Sequence, residues 1–294
     1  MTLILQRKLP AISLLDEEGI FAKIPGQEVS KSLPTLNIGL LNLMPNKVET
    51  EVQILRLLDT PNFNIRIHLL KTATYKSKNT SPEYLDTFSK TYKDVDEEID
   101  GLIITGADVE FMKFEEVAYW DELQKIMNWA EQKVRSTFFI CWAAQAGVYH
   151  HYGIDKHMMK KKLSGVFRHE ILLKDAAIAY RLEVENLVPH SRYTELHYSE
   201  LLNIPELEII SVSKEAGVYL VSSRDGKKVF ATGHSEYNAE TIKQEYLRDL
   251  KKGINPSVPT DYFPDNNPAK RPKAVWRKHS QQLLSNWLYF YVNR

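Results

Sequence analysis

The sequence contains a single cysteine, so no disulfide bond can form within the chain, and this scarcity is typical of proteins from reducing compartments. Neither sign of charge is in excess, because 38 Lys and Arg residues balance 38 Asp and Glu residues. That balance removes any general attraction to nucleic acid or anionic membranes. No apolar run approaches the roughly 18 residues that span a bilayer, and residues 1–8 lack the features of a secretory signal. We therefore expect a cytoplasmic protein whose partners are small molecules, not nucleic acid or membrane.

The composition is that of a globular protein, with 43% hydrophobic and 26% charged residues. Apolar runs and helical spacing alternate along the first half of the chain. Strands are predicted at 37–43, 64–70, 101–105 and 136–141, and helices at 48–58, 84–92, 114–134 and 143–152. This alternation is typical of an α/β fold in which helices cover both faces of a parallel sheet.

The second half of the chain predicts shorter elements. Strands are predicted at 208–213, 218–222 and 228–232, helices at 239–252 and 276–292, a polar loop at 186–194 and an irregular proline-rich loop at 253–273. No segment has the composition of a linker. We therefore expect one domain over residues 1–294, in which residues 1–35 form an N-terminal arm.

Cys141 is the first candidate for chemistry. Residues 138–147 (FFICWAAQAG) predict a strand, a sharp turn at the cysteine and a helix. In open α/β folds such a turn places its side chain above the carboxyl edge of the sheet, where sites occur. The start of the helix would favour a thiolate and donate hydrogen bonds to an oxyanion. A buried structural cysteine is the alternative, and the local pattern leaves both open.

His234 and Glu236 are the second candidate. A strand predicted at 228–232 runs into Gly233 and then presents both side chains. Residues two apart in an extended chain point the same way, so the carboxylate could orient an imidazole that activates a thiol. Cysteine, histidine and glutamate, each at the end of a predicted strand, make a coherent triad.

Other polar features carry less information. Histidines at 150, 151, 157 and 169 match no zinc spacing and have no second cysteine beside them, so no metal site is expected. Residues 160–162 (KKK) are typical of a solvated face, although they could meet a phosphate or carboxylate. In the loop at 186–194, Ser191 and Arg192 could bind the charged ends of an amino acid.

A family resemblance is first recognisable at residues 41–51 (LNLMPNKVETE) and covers the chain from about residue 9 to its end. Its other segments are 78–80 (KNT, starting at Lys78), 100–107 (DGLIITGA), 117–120 (VAYW), 141–142 (CW), 145–146 (QA), 162–166 (KLSGV), 189–192 (PHSR), 233–237 (GHSEY), 244–249 (QEYLRD), 262–264 (YFP) and 286–288 (NWL). Together they resemble the homoserine O-acyltransferases of the homoserine transsuccinylase type. Many motifs in one order make the resemblance specific.

The resemblance implies a flavodoxin-like α/β fold of the class I glutamine amidotransferase type, an often homodimeric enzyme and a ping-pong reaction in methionine synthesis. Carried over, Cys141 would take the acyl group as a thioester, His234 would be the general base and Glu236 its partner. Lys47, with backbone amides near Cys141, would line the oxyanion hole. Lys162, Ser191 and Arg248 would hold the amino acid. The acyl-CoA is a co-substrate, and no resident cofactor is expected.

Glu110 resembles the family's selector of acyl donor. Glycine at that position leaves room for a succinyl group, whereas glutamate fills the space and would repel the succinyl carboxylate. Glu110 therefore predicts acetyl-CoA as the donor. The alternative is that Glu110 is an ordinary surface residue in a loop.

Three positions depart from the family pattern. Asp108 and Ser235 replace prolines, and Asn46 replaces a lysine next to Lys47. Losing two prolines would leave the loops freer to move, and Asp108 could meet a substrate ammonium. These changes leave L-serine open as the acceptor beside L-homoserine, and succinyl-CoA open as the donor.

A rival enzyme class can use the same three side chains. Glutaminases and thiol hydrolases with such an elbow usually have glycine two residues before the cysteine and two residues after it. Here Phe139 and Ala143 occupy those places, which favours the acyltransferase.

Overall fold

The computed structural model describes residues 2–75, 77 and 79–294, so Lys78 of the 78–80 motif lies outside the described residues. The strands are β1 (Thr2–Ile4), β2 (Thr35–Leu41), β3 (Asn64–Leu70), β4 (Ser89–Lys90), β5 (Gly101–Ile104), β6 (Ser136–Ile140), β7 (His157–Ile171), β8 (Glu185–Glu195), β9 (Leu207–Ser213), β10 (Gly217–Ser223) and β11 (Lys228–Ala231). The α-helices are α1 (Ala11–Glu17), α2 (Lys47–Leu58), α3 (Pro82–Phe88), α4 (Trp120–Lys133), α5 (Trp142–Tyr152), α6 (Tyr198–Leu201), α7 (Thr241–Lys251) and α8 (Arg277–Asn286). A π-helical segment, Trp287–Val292, extends α8.

All strands join one sheet in the order β1-β3-β2-β5-β6-β11-β10-β9-β7-β8, with β4 paired beside β3. Neighbours from β1 to β11 are parallel. β5 and β6 are buried at every position, as expected of strands covered on both faces. The predicted α/β fold is therefore confirmed, and the helices flank this parallel part. Within the described residues, no helix is long and apolar enough to cross a membrane.

The sheet is mixed rather than wholly parallel, which corrects the sequence prediction. From β11 onward the pairs β11–β10, β10–β9, β9–β7 and β7–β8 are antiparallel. The prediction of a polar loop at 186–194 is wrong, because these residues belong to β8, which pairs with β7. Burial partly alternates along β7, so one face of this ribbon meets solvent and needs few apolar residues.

Two predicted helices are shorter than expected. The helix at 84–92 begins at Pro82 behind the capping Ser81 and ends at Phe88, after which the chain joins the sheet as β4. The helix at 114–134 is a 3₁₀ turn, Phe114–Glu116, followed by a break and α4. Phe114 and Val117 are buried, so apolar periodicity runs through the break and hides it from the sequence.

The register of β6 and β11 positions the candidate site. Ile140 and Ala231, the last residues of these strands, are paired neighbours. Parallel neighbours end at the same edge of a sheet. Cys141 and the segment after Ala231 therefore leave the sheet side by side.

Candidate active site

Cys141 occupies a sharp turn between β6 and α5, as the sequence predicts. Its backbone has φ 53° and ψ −114°, which is the left-handed side of conformational space and unusual for a residue with a side chain. Its N–H donates to the carbonyl oxygen of Ala231 at 2.7 Å. A Cβ added to Gly106 would lie 3.4 Å from the Cβ of Cys141, so this glycine leaves room beside the sulfur.

His234 and Cys141 line the same cavity, and the two side chains interact, because, against the effect of burial, Cys141 raises the pKa of His234. Its Nδ1 is 2.7 Å from Oε1 of Glu236, which leaves Nε2 for the sulfur. The expectation of an extended chain here is wrong, because the N–H of Tyr237 donates to the carbonyl of His234 at 3.1 Å and closes a turn. Cysteine, histidine and glutamate are nevertheless brought together.

Electrostatics favour a protonated imidazole at this position. His234 and Glu236 are only 3% and 6% exposed. Burial alone would lower the pKa of His234, yet the negative charges of Cys141 and Glu236 raise it well above its ordinary value. The ring of Tyr237 stacks on the imidazole with 4.1 Å between centroids. An imidazolium beside a sulfur stabilises the thiolate form, which is the nucleophile.

A cavity of about 240 Å³ opens above the sulfur. Several predicted residues line it together, namely Cys141, His234, Lys162, Ser191, Arg248 and Glu110. Its walls combine apolar side chains with charged ones of both signs. Such a lining suits a small zwitterion better than an apolar ligand.

Two carboxylates of this cavity were missed by sequence reasoning. Nζ of Lys162 lies 3.3 Å from Glu245 and 3.2 Å from Asp249, Ser191 donates to Glu245, and Arg248 donates to Asp249 at 2.9 Å. Burial would lower the pKa of Lys162, but the charges of Glu245 and Asp249 raise it. Four residues apart, these carboxylates share one face of α7. That spacing, inside the 244–249 motif, was the available signal.

Glu110 is half-buried and lines the same cavity. Burial raises its pKa, the charge of Asp108 adds to the effect, and Lys162 opposes it. Glu110 therefore lies in the loop after β5 and borders the cavity above Cys141.

Lys47 does not line the cavity above Cys141, contrary to the oxyanion-hole expectation. Its ammonium donates to the carbonyl oxygens of Asn42 and Met44, the latter at 3.0 Å, and it lines a neighbouring cavity. Burial lowers the pKa of Lys47 to about 8, against the charge of Glu51. The ammonium of Lys47 is therefore held by carbonyl oxygens of the loop after β2.

Arg192 is also engaged elsewhere than expected. Although it lines the cavity, it is 3% exposed, and its guanidinium donates to the carbonyl oxygens of Thr194 and Ala216, the latter at 2.6 Å. Its donors are therefore used within β8 and the turn before β10. These contacts favour a structural role for Arg192, and its binding of an amino acid stays a prediction.

The three positions that depart from the family pattern differ in their surroundings. Ser235 forms a buried hydrogen bond with the hydroxyl of Tyr219, so this turn is tethered although it lacks proline. Asn46 caps α2 by accepting from the N–H of Glu49. Asp108 is exposed at the rim of the cavity.

One group among the described residues could hold a metal ion. The ligand atoms of His157, His197 and Glu200 lie within 4.8 Å of one another, although no metal was expected from the sequence. None of the three lines the cavity above Cys141. His169 does not join them, because it is buried and stacked on His190.

Comparison with known proteins gives one consistent result. Residues 2–294 match the family described as homoserine O-succinyltransferase, HTS. The chain is 45% identical to the homoserine O-acetyltransferase of Bacillus cereus (strain AH187), over 99% of this chain and 97% of that protein. It is 46% identical to that of Petrotoga mobilis, over 99% and 95%, and to homoserine O-acetyltransferase 1 of Ilyobacter polytropus, over 99% and 97%.

Solved structures resemble the chain in fold. A glutamine amidotransferase from Thermotoga maritima matches with a TM-score of 0.57 and 13% identity, over 89% of this chain and 99% of that chain. Another, from Methylobacillus flagellatus, matches with a TM-score of 0.53 and 12% identity, over 87% and 94%. At such low identity the likeness concerns the arrangement of strands and helices alone.

Proposed function

The chain belongs to the homoserine O-succinyltransferase (HTS) family, and from that premise we propose that it transfers an acetyl group from acetyl-CoA to the side-chain hydroxyl of L-homoserine, the first step of methionine biosynthesis. The full-length relatives named homoserine O-acetyltransferase support the activity. The observation that carries the mechanism is that Cys141 and His234 line one cavity, with Nδ1 of His234 2.7 Å from Oε1 of Glu236.

In the first half-reaction, the Cys141 sulfur attacks the thioester carbonyl and forms a tetrahedral oxyanion. Trp142 and Ala143 are the first two residues of α5, and N–H groups at a helix start have no acceptor within the helix, so these two can donate to that oxyanion. The C–S bond to coenzyme A then breaks, and the departing thiolate takes a proton from His234. The acyl group stays on Cys141 as a thioester, a nearly isoenergetic exchange of one thiol for another.

In the second half-reaction, His234 is neutral and removes the proton of the homoserine hydroxyl. The oxygen attacks the thioester, the bond to Cys141 breaks, and an ester is released with the thiol regenerated. We propose that Arg248 and Lys162 bind the homoserine carboxylate and that Glu245 receives its ammonium. Their placement around one cavity supports this orientation.

Thiol release tests the proposed function. Purified protein is mixed with acetyl-CoA or succinyl-CoA and with L-homoserine or L-serine. We expect release with acetyl-CoA and L-homoserine, because Glu110 disfavours a second carboxylate. Thiol release with L-serine would instead indicate a role in cysteine synthesis. Hydrolysis that needs no acceptor would support the thiol hydrolase.

Glu110→Gly should shift donor preference toward succinyl-CoA, because it removes both bulk and negative charge from the cavity. We expect the ratio of kcat/KM for succinyl-CoA to that for acetyl-CoA to rise about tenfold or more, since one removed repulsion is worth about 1.4 kcal/mol or more. Glu28→Gly, in an exposed loop, is the matched control. An unchanged ratio in Glu110→Gly would remove this residue from donor selection.

Two broader properties stay predictions. The family resemblance implies a homodimer, and the single, buried cysteine fits a reducing cytoplasm.

A further inference from the structure

A second cavity adjoins the cavity above Cys141, at the point in the sheet where the strand order reverses. After β2 the chain forms β3 on one side of it, whereas β5 and β6 lie on the other side. Met44 and Pro45 follow β2, Ala107 and Asp108 follow β5, and all four line both cavities. In open α/β sheets, ligands bind in the crevice at this reversal, outside the carboxyl ends of the strands. We call the second cavity the β2–β5 crevice.

The β2–β5 crevice has a volume of about 430 Å³, within the range of small-molecule sites. Its walls include apolar side chains from the sheet and from the loop before α4, namely Leu40, Leu43, Leu69, Leu70, Val109 and Val117. Polar and charged side chains interrupt them, among them Asn42, Lys47, Glu51, Lys71, Thr72 and Asp108. Such a lining can accept a long ligand that has both apolar and hydrogen-bonding groups.

Buried ionisable groups in the crevice have no part in the acyl-transfer steps. Glu51 is 2% exposed and accepts a hydrogen bond from the hydroxyl of Tyr84. Burial raises the pKa of Glu51 to about 7, against the effects of Tyr84 and Lys47. Perturbed groups of this kind concentrate at functional sites. Lys47 can donate to an amide carbonyl, and Glu51 can accept from an amide N–H.

The cavity above Cys141 is too small for the whole donor. A coenzyme A thioester is several times larger than an amino acid, yet its carbonyl must reach Cys141. A third cavity, against β7 and α7, also adjoins the site, but it shares Lys162 and Asp249 with it. A donor arm through that cavity would cover the groups that hold the acceptor. The β2–β5 crevice leaves them free.

We propose that the β2–β5 crevice binds the pantetheine arm of the acyl-CoA, so that donor and acceptor reach Cys141 from opposite sides. This inference rests on the proposed function. The two amides of the arm lie against Lys47 and Glu51, and its apolar part lies along the leucines of β2 and β3. The loops after β2 and β5 form the boundary past which the thioester reaches the sulfur.

Ala118→Trp tests the crevice, because Ala118 is exposed at its mouth. For each variant, kcat/KM is measured with acetyl-CoA and with S-acetyl-N-acetylcysteamine, a thioester that lacks most of the arm. We expect the acetyl-CoA to short-thioester ratio to fall about tenfold or more, which corresponds to about 1.4 kcal/mol. Thr72→Trp, on another wall of the crevice, should lower the ratio in the same direction.

Ala269→Trp is the matched control, because Ala269 is an exposed alanine in a turn that lines none of the cavities described above. Its ratio should equal that of the wild type. An unchanged ratio in both crevice variants, with thermal unfolding like that of the control, would overturn the proposal. A wild type that releases no thiol from acetyl-CoA would instead reject the proposed function, and the crevice assignment with it.

Discussion

Cys141→Ser is expected to lower acyl transfer by about 10³-fold or more, because a serine hydroxyl holds its proton near neutral pH and is a far weaker nucleophile than a thiolate. Intact-mass spectrometry with acetyl-CoA and no acceptor checks the result. The wild type should gain one acetyl group, which peptide mapping places on Cys141, and the variant should gain none.

The chain has no second cysteine for a matched substitution, so the control for Cys141→Ser is its thermal unfolding. A serine fits the space of the thiol, and the melting temperature should stay within a few degrees of the wild type. A labelled acyl group that still attaches to the folded variant would show that another residue is the nucleophile.

His234→Asn is expected to lower turnover by about 10²- to 10⁴-fold, the usual contribution of a general acid and base. Both half-reactions should slow, because His234 protonates the leaving thiolate in the first and deprotonates the acceptor hydroxyl in the second. Stopped-flow thiol release measures the first half-reaction, and homoserine added to the acyl-enzyme measures the second.

The pH dependence of the cysteine separates a catalytic from a structural role for His234. Because the pKa of His234 is raised, its imidazole keeps a positive charge above the pH of about 6.5 at which an ordinary histidine loses it. That charge favours the thiolate, so the wild type should react with iodoacetamide below pH 7. His234→Asn should lose this reactivity, whereas the control His197→Asn should keep it, since His197 is exposed outside the site. Equal alkylation in all three proteins would contradict the pairing.

The parallel part of the fold could be predicted because its signals are local. β5 and β6 are short apolar runs bounded by turn residues, and burial on both faces requires such runs. β7 gave no comparable signal, since it is long, carries the lysines at 160–162 and is partly exposed. Its partner β8 is recognisable only from the pairing itself, which depends on residues distant in sequence.

Some residues of the candidate site could likewise be predicted from the sequence, and others could not. Cys141 and His234 follow strands, so strand prediction alone places them at one edge of the sheet. The ammonium of Lys47 is held by the Asn42 and Met44 carbonyls, and no periodic pattern encodes those contacts. Glu245 reaches the cavity only because α7 crosses it, which depends on tertiary packing.

The seam between β6 and β11 has a consequence for how the protein is made. β1 to β6 emerge from the ribosome first, and Cys141 directly follows β6. β11 emerges only after the long β7–β8 ribbon and two further strands, and His234 follows β11. A nascent chain that ends before β11 therefore carries the cysteine without its base. If His234 activates the sulfur as proposed, that activation requires the last parallel strand, β11, to pair with β6.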